Sequence, residues 1–169
     1  KITFTGSIPV GKLLAEQAGK HMKPITMELG GHSPVLVYED VDLERVVEIL
    51  VTRKFANSGQ VCVSPNRFFV HENIFDKFTN MFCKRAAEIK LGNGLDPLSK
   101  MGPLANLRRL KAVKGLVDNA VARGAKIQLG GEQLGEKGFF FPPTVLTNVH
   151  PDSDLLTVEP FGPVVPIMS

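Results

Sequence analysis

Short apolar runs alternate along this chain with longer amphipathic stretches, and few folds accept that order. Residues 1–5 predict a strand with Ile2 and Phe4 on one face, broken by Gly6-Ser7. Ser7 suits the N-cap of a helix from about Pro9 to Gly19. A second strand over Ile25–Leu29 ends at Gly30-Gly31, and a third over Pro34–Tyr38 carries a continuous Val-Leu-Val that predicts burial on both faces. Asp40 or Asp42 then caps a helix on which Leu43, Val46, Val47, Leu50 and Val51 share a face, fading at Asn57-Ser58-Gly59. A strand over Arg67–His71 precedes a helix from about Asn73 to Ile89, with Phe75, Phe78, Phe82 and Ala86 at helical spacing. Beyond a Gly/Pro loop over 92–103, the pattern gives a helix over Leu110–Arg123 and a strand over Lys126–Leu129. Extended pieces at 139–141 and 144–149 follow, and an apolar alternating run at 164–169 closes the chain. Strands alternating with helices of about 12 to 17 residues predict an α/β fold: a mainly parallel sheet with flanking helices.

Composition narrows the function. Twenty Lys and Arg against 17 Asp and Glu leave a charge of +3, with no basic block longer than Arg108-Arg109, so nucleic acid is not an expected partner. No apolar stretch is long enough to span a bilayer, so no membrane partner is expected either. Two cysteines, Cys62 and Cys83, allow at most one disulfide, which favours a reducing compartment and a cytoplasmic setting. His21, His32, His71 and His150 are scattered without metal-ligand spacing, so no metal site is expected. The chain lacks an initiating Met and starts and stops on apolar runs, which reads as a piece of something larger, incomplete at both ends.

Four places carry residue types suited to chemistry. Cys62 lies in a polar loop between a helix and a strand, where a thiolate could act as a nucleophile; a small buried hydrophobe is the other reading. Cys83 sits in an aromatic-rich helix and reads as filler. Glu28 lies near the end of an apolar strand against Gly30-Gly31, as a general base raised by partial burial, as a solvent-facing strand residue, or in an ion pair with Lys20, Lys23 or Arg67. Gly6-Ser7 precedes a helix whose free N–H groups suit an anion, although an ordinary capped helix explains it equally. Glu159-Pro160-Phe161-Gly162-Pro163 is a rigid turn entering a strand, in which Phe161 is either a loop anchor or a face for a planar ring.

Taken together, Phe4-Thr5-Gly6-Ser7 with Val10-Gly11, Met27-Glu28-Leu29-Gly30-Gly31, Phe55-x-Asn57-x-Gly59-Gln60-x-Cys62 and Glu159-x-Phe161-Gly162-Pro163 resemble the aldehyde dehydrogenase superfamily in order and in the spacing of Glu28 and Cys62. Gly102-Pro103-Leu104, Gly124-Ala125 and Pro142-Pro143-Thr144 add to the likeness. Lys54-Phe55-x-Asn57 and Ser64-Pro65-Asn66-Arg67-Phe68 look most like succinate-semialdehyde dehydrogenases. Some of those enzymes carry a second cysteine where this chain has Ser64, so a disulfide lock in this loop is not expected.

The resemblance implies NAD- or NADP-dependent oxidation of an aldehyde to a carboxylic acid through a thiohemiacetal and a thioester. Cys62 would be the nucleophile and Glu28 the base that activates the hydrolytic water. The backbone N–H of Cys62 would supply half of an oxyanion hole. Gly6, Ser7, Val10 and Gly11 would meet the cofactor pyrophosphate, Leu29 would lie near the nicotinamide, Glu159 would bind its ribose and Phe161 would pack beside the ring. Arg67 reads as a structural residue beside the loop. Residues 1–31 would be the end of a dinucleotide-binding domain and residues 32–169 the first part of a catalytic domain. The intact enzyme would be a homo-oligomer, a dimer or tetramer, and these residues alone would lack activity.

Overall fold

The computed structural model describes residues 1–169 and resolves into two compact units, Lys1–Gly31 and His32–Ser169. In the first, strand β1 (Ile2–Gly6) leads into helix α1 (Ile8–Lys20), and the chain returns as strand β2 (Ile25–Leu29). The two strands pair in parallel, from Ile2 opposite Ile25 to Gly6 opposite Leu29. Helix α1 lies close on its own strands because Gly11 has no side chain. A Cβ there would stand 2.5 Å from Leu29 Cδ2.

The second unit holds a five-stranded sheet in the order β3-β4-β7-β6-β5. Its strands are β3 (Pro34–Val37), β4 (Arg67–Val70), β5 (Lys126–Leu129), β6 (Thr144–Thr147) and β7 (Val164–Met168). Neighbours run parallel except β5 and β6, which are antiparallel. The mainly parallel α/β architecture is therefore present.

Side chains alternate across each strand, so the sheet feeds two cores. Val145, Val165, Ile167 and Phe68 face helices α2 (Leu43–Phe55) and α3 (Phe75–Ala87), where Val47, Val51, Phe78 and Phe82 are buried. Leu146 and Val164 face the other way, onto Val113, Val117 and Ala120 of helix α4 (Leu107–Ala122). Three rings concentrate the first core: Phe82 stacks on Phe78 at 5.7 Å and meets the edge of Phe68 at 5.4 Å. Truncating a ring buried this way costs about 3–5 kcal/mol.

Three local expectations change. Strand β3 is not buried on both faces: it ends the sheet and Leu36 is 62% exposed. Helix α4 begins at Leu107 rather than Leu110, because the Asn106 side chain caps it by accepting from the Arg109 N–H at 2.9 Å. Residues 139–141 join no ladder; Phe141 instead anchors the second core. No helix is long and apolar enough to cross a membrane.

Candidate active site

The loop that carries Cys62 begins where α2 runs out. Asn57, Ser58 and Gly59 all take left-handed backbone conformations, with φ of 49°, 58° and 70°. Two of the three are not glycine, and such strain collects where surrounding structure over-determines it. Here the restraints are visible. The Asn57 side chain donates to the Gln60 carbonyl and the Gln60 side chain returns a bond to the Asn57 carbonyl, each at 3.1 Å. The Gln60 side-chain oxygen accepts from the Ala105 N–H at 2.9 Å, and the Ser58 hydroxyl donates to the Gly102 carbonyl at 2.7 Å. Beyond the crest, the Ser64 hydroxyl donates to the Lys54 carbonyl at 3.3 Å, tying the loop back to α2. Ser64 is thus a buried structural hydroxyl.

At the crest Cys62 is exposed and free, which removes the buried-filler reading. Its backbone N–H has no acceptor in the chain, leaving a donor beside the sulfur. Cys83 is different: half-buried in α3, its thiol is pushed up to about 11 by desolvation. Of the two cysteines, only Cys62 is exposed.

The turn at Glu159–Pro163 lies against this loop. A Cβ on Gly59 would fall on the Gly162 carbonyl oxygen, so the two segments touch through bare backbone. Phe161 adopts a φ of 40° and is half-buried, with the Arg109 guanidinium 5.7 Å from its ring centroid. The same arginine donates to the Pro160 carbonyl at 3.3 Å and steadies the turn. Glu159 is half-buried, and its Oε1 is sealed from solvent without a hydrogen-bond partner. Two motifs separated by almost a hundred residues are therefore neighbours in this unit.

The remaining candidates lie in the first unit. Ser7 occupies the N-cap of α1 but makes no side-chain cap bond, and its hydroxyl stays available beside the unpaired first-turn N–H groups. Val10 is exposed, whereas Gly11 is buried and serves close packing onto Leu29. Gly6 is crowded by its own strand, since a Cβ would stand 2.5 Å from the Phe4 ring. Glu28, opposite Thr5 in the ladder, is exposed rather than held in a buried strand, and no ion pair engages it; Lys20 pairs with Glu16 instead. Arg67 donates to the His32 carbonyl at 2.8 Å, the structural role expected of it.

Sequence reasoning passes over Lys54 as a functional residue, although it is completely buried. A signal is present: Val47, Val51, Lys54 and Phe55 lie on the apolar face of α2, where a charged side chain is out of place.

Comparison with known proteins gives the family. The family model for the aldehyde dehydrogenase family matches residues 1–169. The chain is 44% identical over 164 residues to 4-(hydroxymethyl)benzenesulfonate dehydrogenase TsaD1 of Comamonas testosteroni, covering 97% of this chain and 34% of that protein. It is 42% identical over 168 residues to succinate-semialdehyde dehydrogenase [NADP(+)] 2 of Schizosaccharomyces pombe, covering 99% of this chain and 34% of that one. The crystal structure of succinate-semialdehyde dehydrogenase from Burkholderia pseudomallei superposes with a TM-score of 0.96 at 40% identity, over 100% of this chain and 35% of its own. The chain thus spans about a third of the length of the relatives it matches, and it belongs to the aldehyde dehydrogenase family.

Proposed function

We propose that these residues form part of an oxidoreductase that converts an aldehyde to a carboxylic acid with NAD or NADP, with Cys62 as nucleophile and Glu28 as base. The observation that carries this reading is the exposed Cys62 on a strained, multiply restrained loop, packed against the turn that bears Glu159 and Phe161.

The residues present suit a dinucleotide. Ser7 offers an uncommitted hydroxyl at a helix N-terminus, the kind of place that takes a phosphate, and Glu159 offers a carboxylate oxygen without a partner to a ribose hydroxyl. Val10 and Gly11 continue the first helical turn, Leu29 ends the neighbouring strand, and Phe161 presents a ring for packing beside the nicotinamide. When bound, the cofactor supplies the hydride acceptor.

The chain's own groups do the rest. The Cys62 thiolate adds to the carbonyl carbon, and the oxyanion of the thiohemiacetal accepts from the unpaired Cys62 N–H. Loss of hydride leaves a thioester on Cys62. Glu28 removes a proton from water, whose attack on the thioester releases the acid and restores the thiolate. The exposure of Glu28 suits a group that must reach solvent water. Succinate semialdehyde is the first substrate to assay, and the intact enzyme is a homo-oligomer in this reading.

The test uses a full-length enzyme carrying these 169 residues. Cys62→Ala should abolish both acylation and turnover. Glu28→Gln should retain a burst of reduced cofactor followed by slow deacylation, because a missing base stalls the thioester at water attack. An unchanged steady-state rate in Glu28→Gln removes Glu28 from the mechanism, and activity in Cys62→Ala removes Cys62.

A further inference from the structure

A polar cluster lies buried beside the Cys62 loop, and the lysine at its centre has no part in the steps proposed above. Its centre is Lys54, with no exposed surface. The ammonium donates to Asn66 Oδ1 at 2.9 Å, and Asn66 is itself 1% exposed. An ammonium has three donors and this one spends a single bond on the protein. Arg67 donates to the His32 carbonyl at 2.8 Å, and the His32 ring donates to the Leu155 carbonyl at 3.1 Å, in the segment that leads to Glu159. Burial pushes the Lys54 amine down and the Glu159 charge opposes that shift.

Five buried side-chain atoms in the chain lack a hydrogen-bond partner, and four of them belong to this group: His32 Nδ1, Asn66 Nδ2, Arg67 Nε and Glu159 Oε1. Unsatisfied buried polar atoms are uncommon, and their collection around one lysine marks a place where stability gives way to another demand. The lysine also touches the loop twice, through Asn66 and through its own carbonyl, which accepts from Ser64. One residue therefore ties both feet of the Cys62 loop together and feels the charge of Glu159 on the neighbouring turn.

We propose that Lys54 is a positioning residue whose ammonium supplies the counter-charge that orients Glu159 toward the nicotinamide ribose, while its bond to Asn66 keeps the Cys62 loop in register with that turn. The proposal rests on the ribose-binding reading of Glu159. An apolar side chain would avoid the desolvation that Lys54 suffers, so packing alone does not explain a charge at this position. Lys54 touches neither reacting atoms nor cofactor and acts through Glu159.

A double-variant cycle tests this in a full-length enzyme carrying these residues, by the fluorescence of bound reduced dinucleotide at about pH 6, below the value of about 7 to which burial lowers the lysine. Lys54→Gln keeps a donor without the charge, and Glu159→Gln removes the carboxylate. Each single change should weaken dinucleotide binding about tenfold, and the pair together should do little more than either alone, because both remove one interaction. The aldehyde KM should stay within about twofold, a split that a merely structural lysine would not produce. If Glu159→Gln leaves binding unchanged, the ribose reading fails. If it weakens binding while Lys54→Gln does not, or the two effects multiply, the ribose reading survives and the positioning role is overturned. Should Lys54→Gln fail to fold, lysine Cε NMR titration of the enzyme with and without Glu159→Gln decides the matter. Removing the carboxylate must lower the Lys54 midpoint, and an unmoved midpoint overturns the coupling.

Discussion

Gly59 and Gly162 meet backbone to backbone, so that any side chain on Gly59 would land on the carbonyl oxygen of Gly162. This contact seats the Cys62 loop on the Glu159 turn, and it depends on an atom that is not there. Gly59 also holds a φ of 70°, which an L side chain rarely adopts.

Gly59→Ala should therefore destabilise the chain by at least about 2 kcal/mol, from strain and collision together. At this size that is a fall of roughly 5 °C or more in Tm. Gly115 lies in α4, where a Cβ would meet nothing within 4 Å, so Gly115→Ala should raise stability by about 0.5–1 kcal/mol. Paired thermal melts check both signs, and a Gly59→Ala chain as stable as the parent refutes the contact.

The two cysteines should separate cleanly in reactivity. Cys62 is exposed, whereas burial pushes Cys83 up to about 11. Iodoacetamide near pH 7.5 should alkylate Cys62 at least about tenfold faster, since only the thiolate reacts. Peptide mapping over a time course reads the order of labelling. Equal rates, or Cys83 first, would count against the assignment of Cys62.

Lys54 should make stability depend on pH in a defined direction. Burial holds its amine at about 7, far below the usual lysine range, with Glu159 partly opposing that shift. Below about pH 7 the folded and unfolded chains both carry the proton, and the cost of burying the charge is fully present. Between about pH 7 and 10 the unfolded chain binds a proton that the folded chain releases, so this position makes the fold more stable as pH rises. Unfolding free energies of the parent and of Lys54→Met, from urea curves, should diverge across that window by a few kcal/mol. Parallel curves for the two chains would contradict the burial of a titrating amine.

The 169 residues expressed alone should show no NAD(P)-dependent aldehyde oxidation, as they span about a third of their relatives' length. An aldehyde-dependent rise in absorbance at the reduced-nicotinamide band, abolished by Cys62→Ala, would overturn that expectation.

How much of this is written in the amino-acid order differs from element to element. Phe75, Phe78, Phe82 and Ala86 announce α3 by spacing alone, and the structure buries the last three on one face. Local signals suffice there because helical periodicity is set within a few residues. The Asn106 cap of α4 is equally local, but the apolar pattern starts later than the capped turn and so hides it. The cysteine loop is also legible as a loop, since helix signals stop at Asn57-Ser58-Gly59.

Strand order lies beyond local reach. The run Val35-Leu36-Val37 looks like a central strand, yet β3 ends the sheet, while β7, last in the chain, lies between β4 and β6 with Val164, Val165 and Ile167 fully buried. Apolarity says that a strand wants burial; which partners flank it is decided by how the helices between strands pack. Lys54 shows the same division. Its place on an apolar helical face is readable from Val47, Val51 and Phe55, but its bond to Asn66 and the charge of Glu159 that opposes its desolvation, 105 residues away, are not. The sequence by itself determined where the chain would coil, extend and turn, because those preferences act over a few bonds. Only the tertiary structure decided that a cysteine loop, a glutamate turn and a buried lysine would share one corner, because such contacts form only when distant segments pack and exclude water.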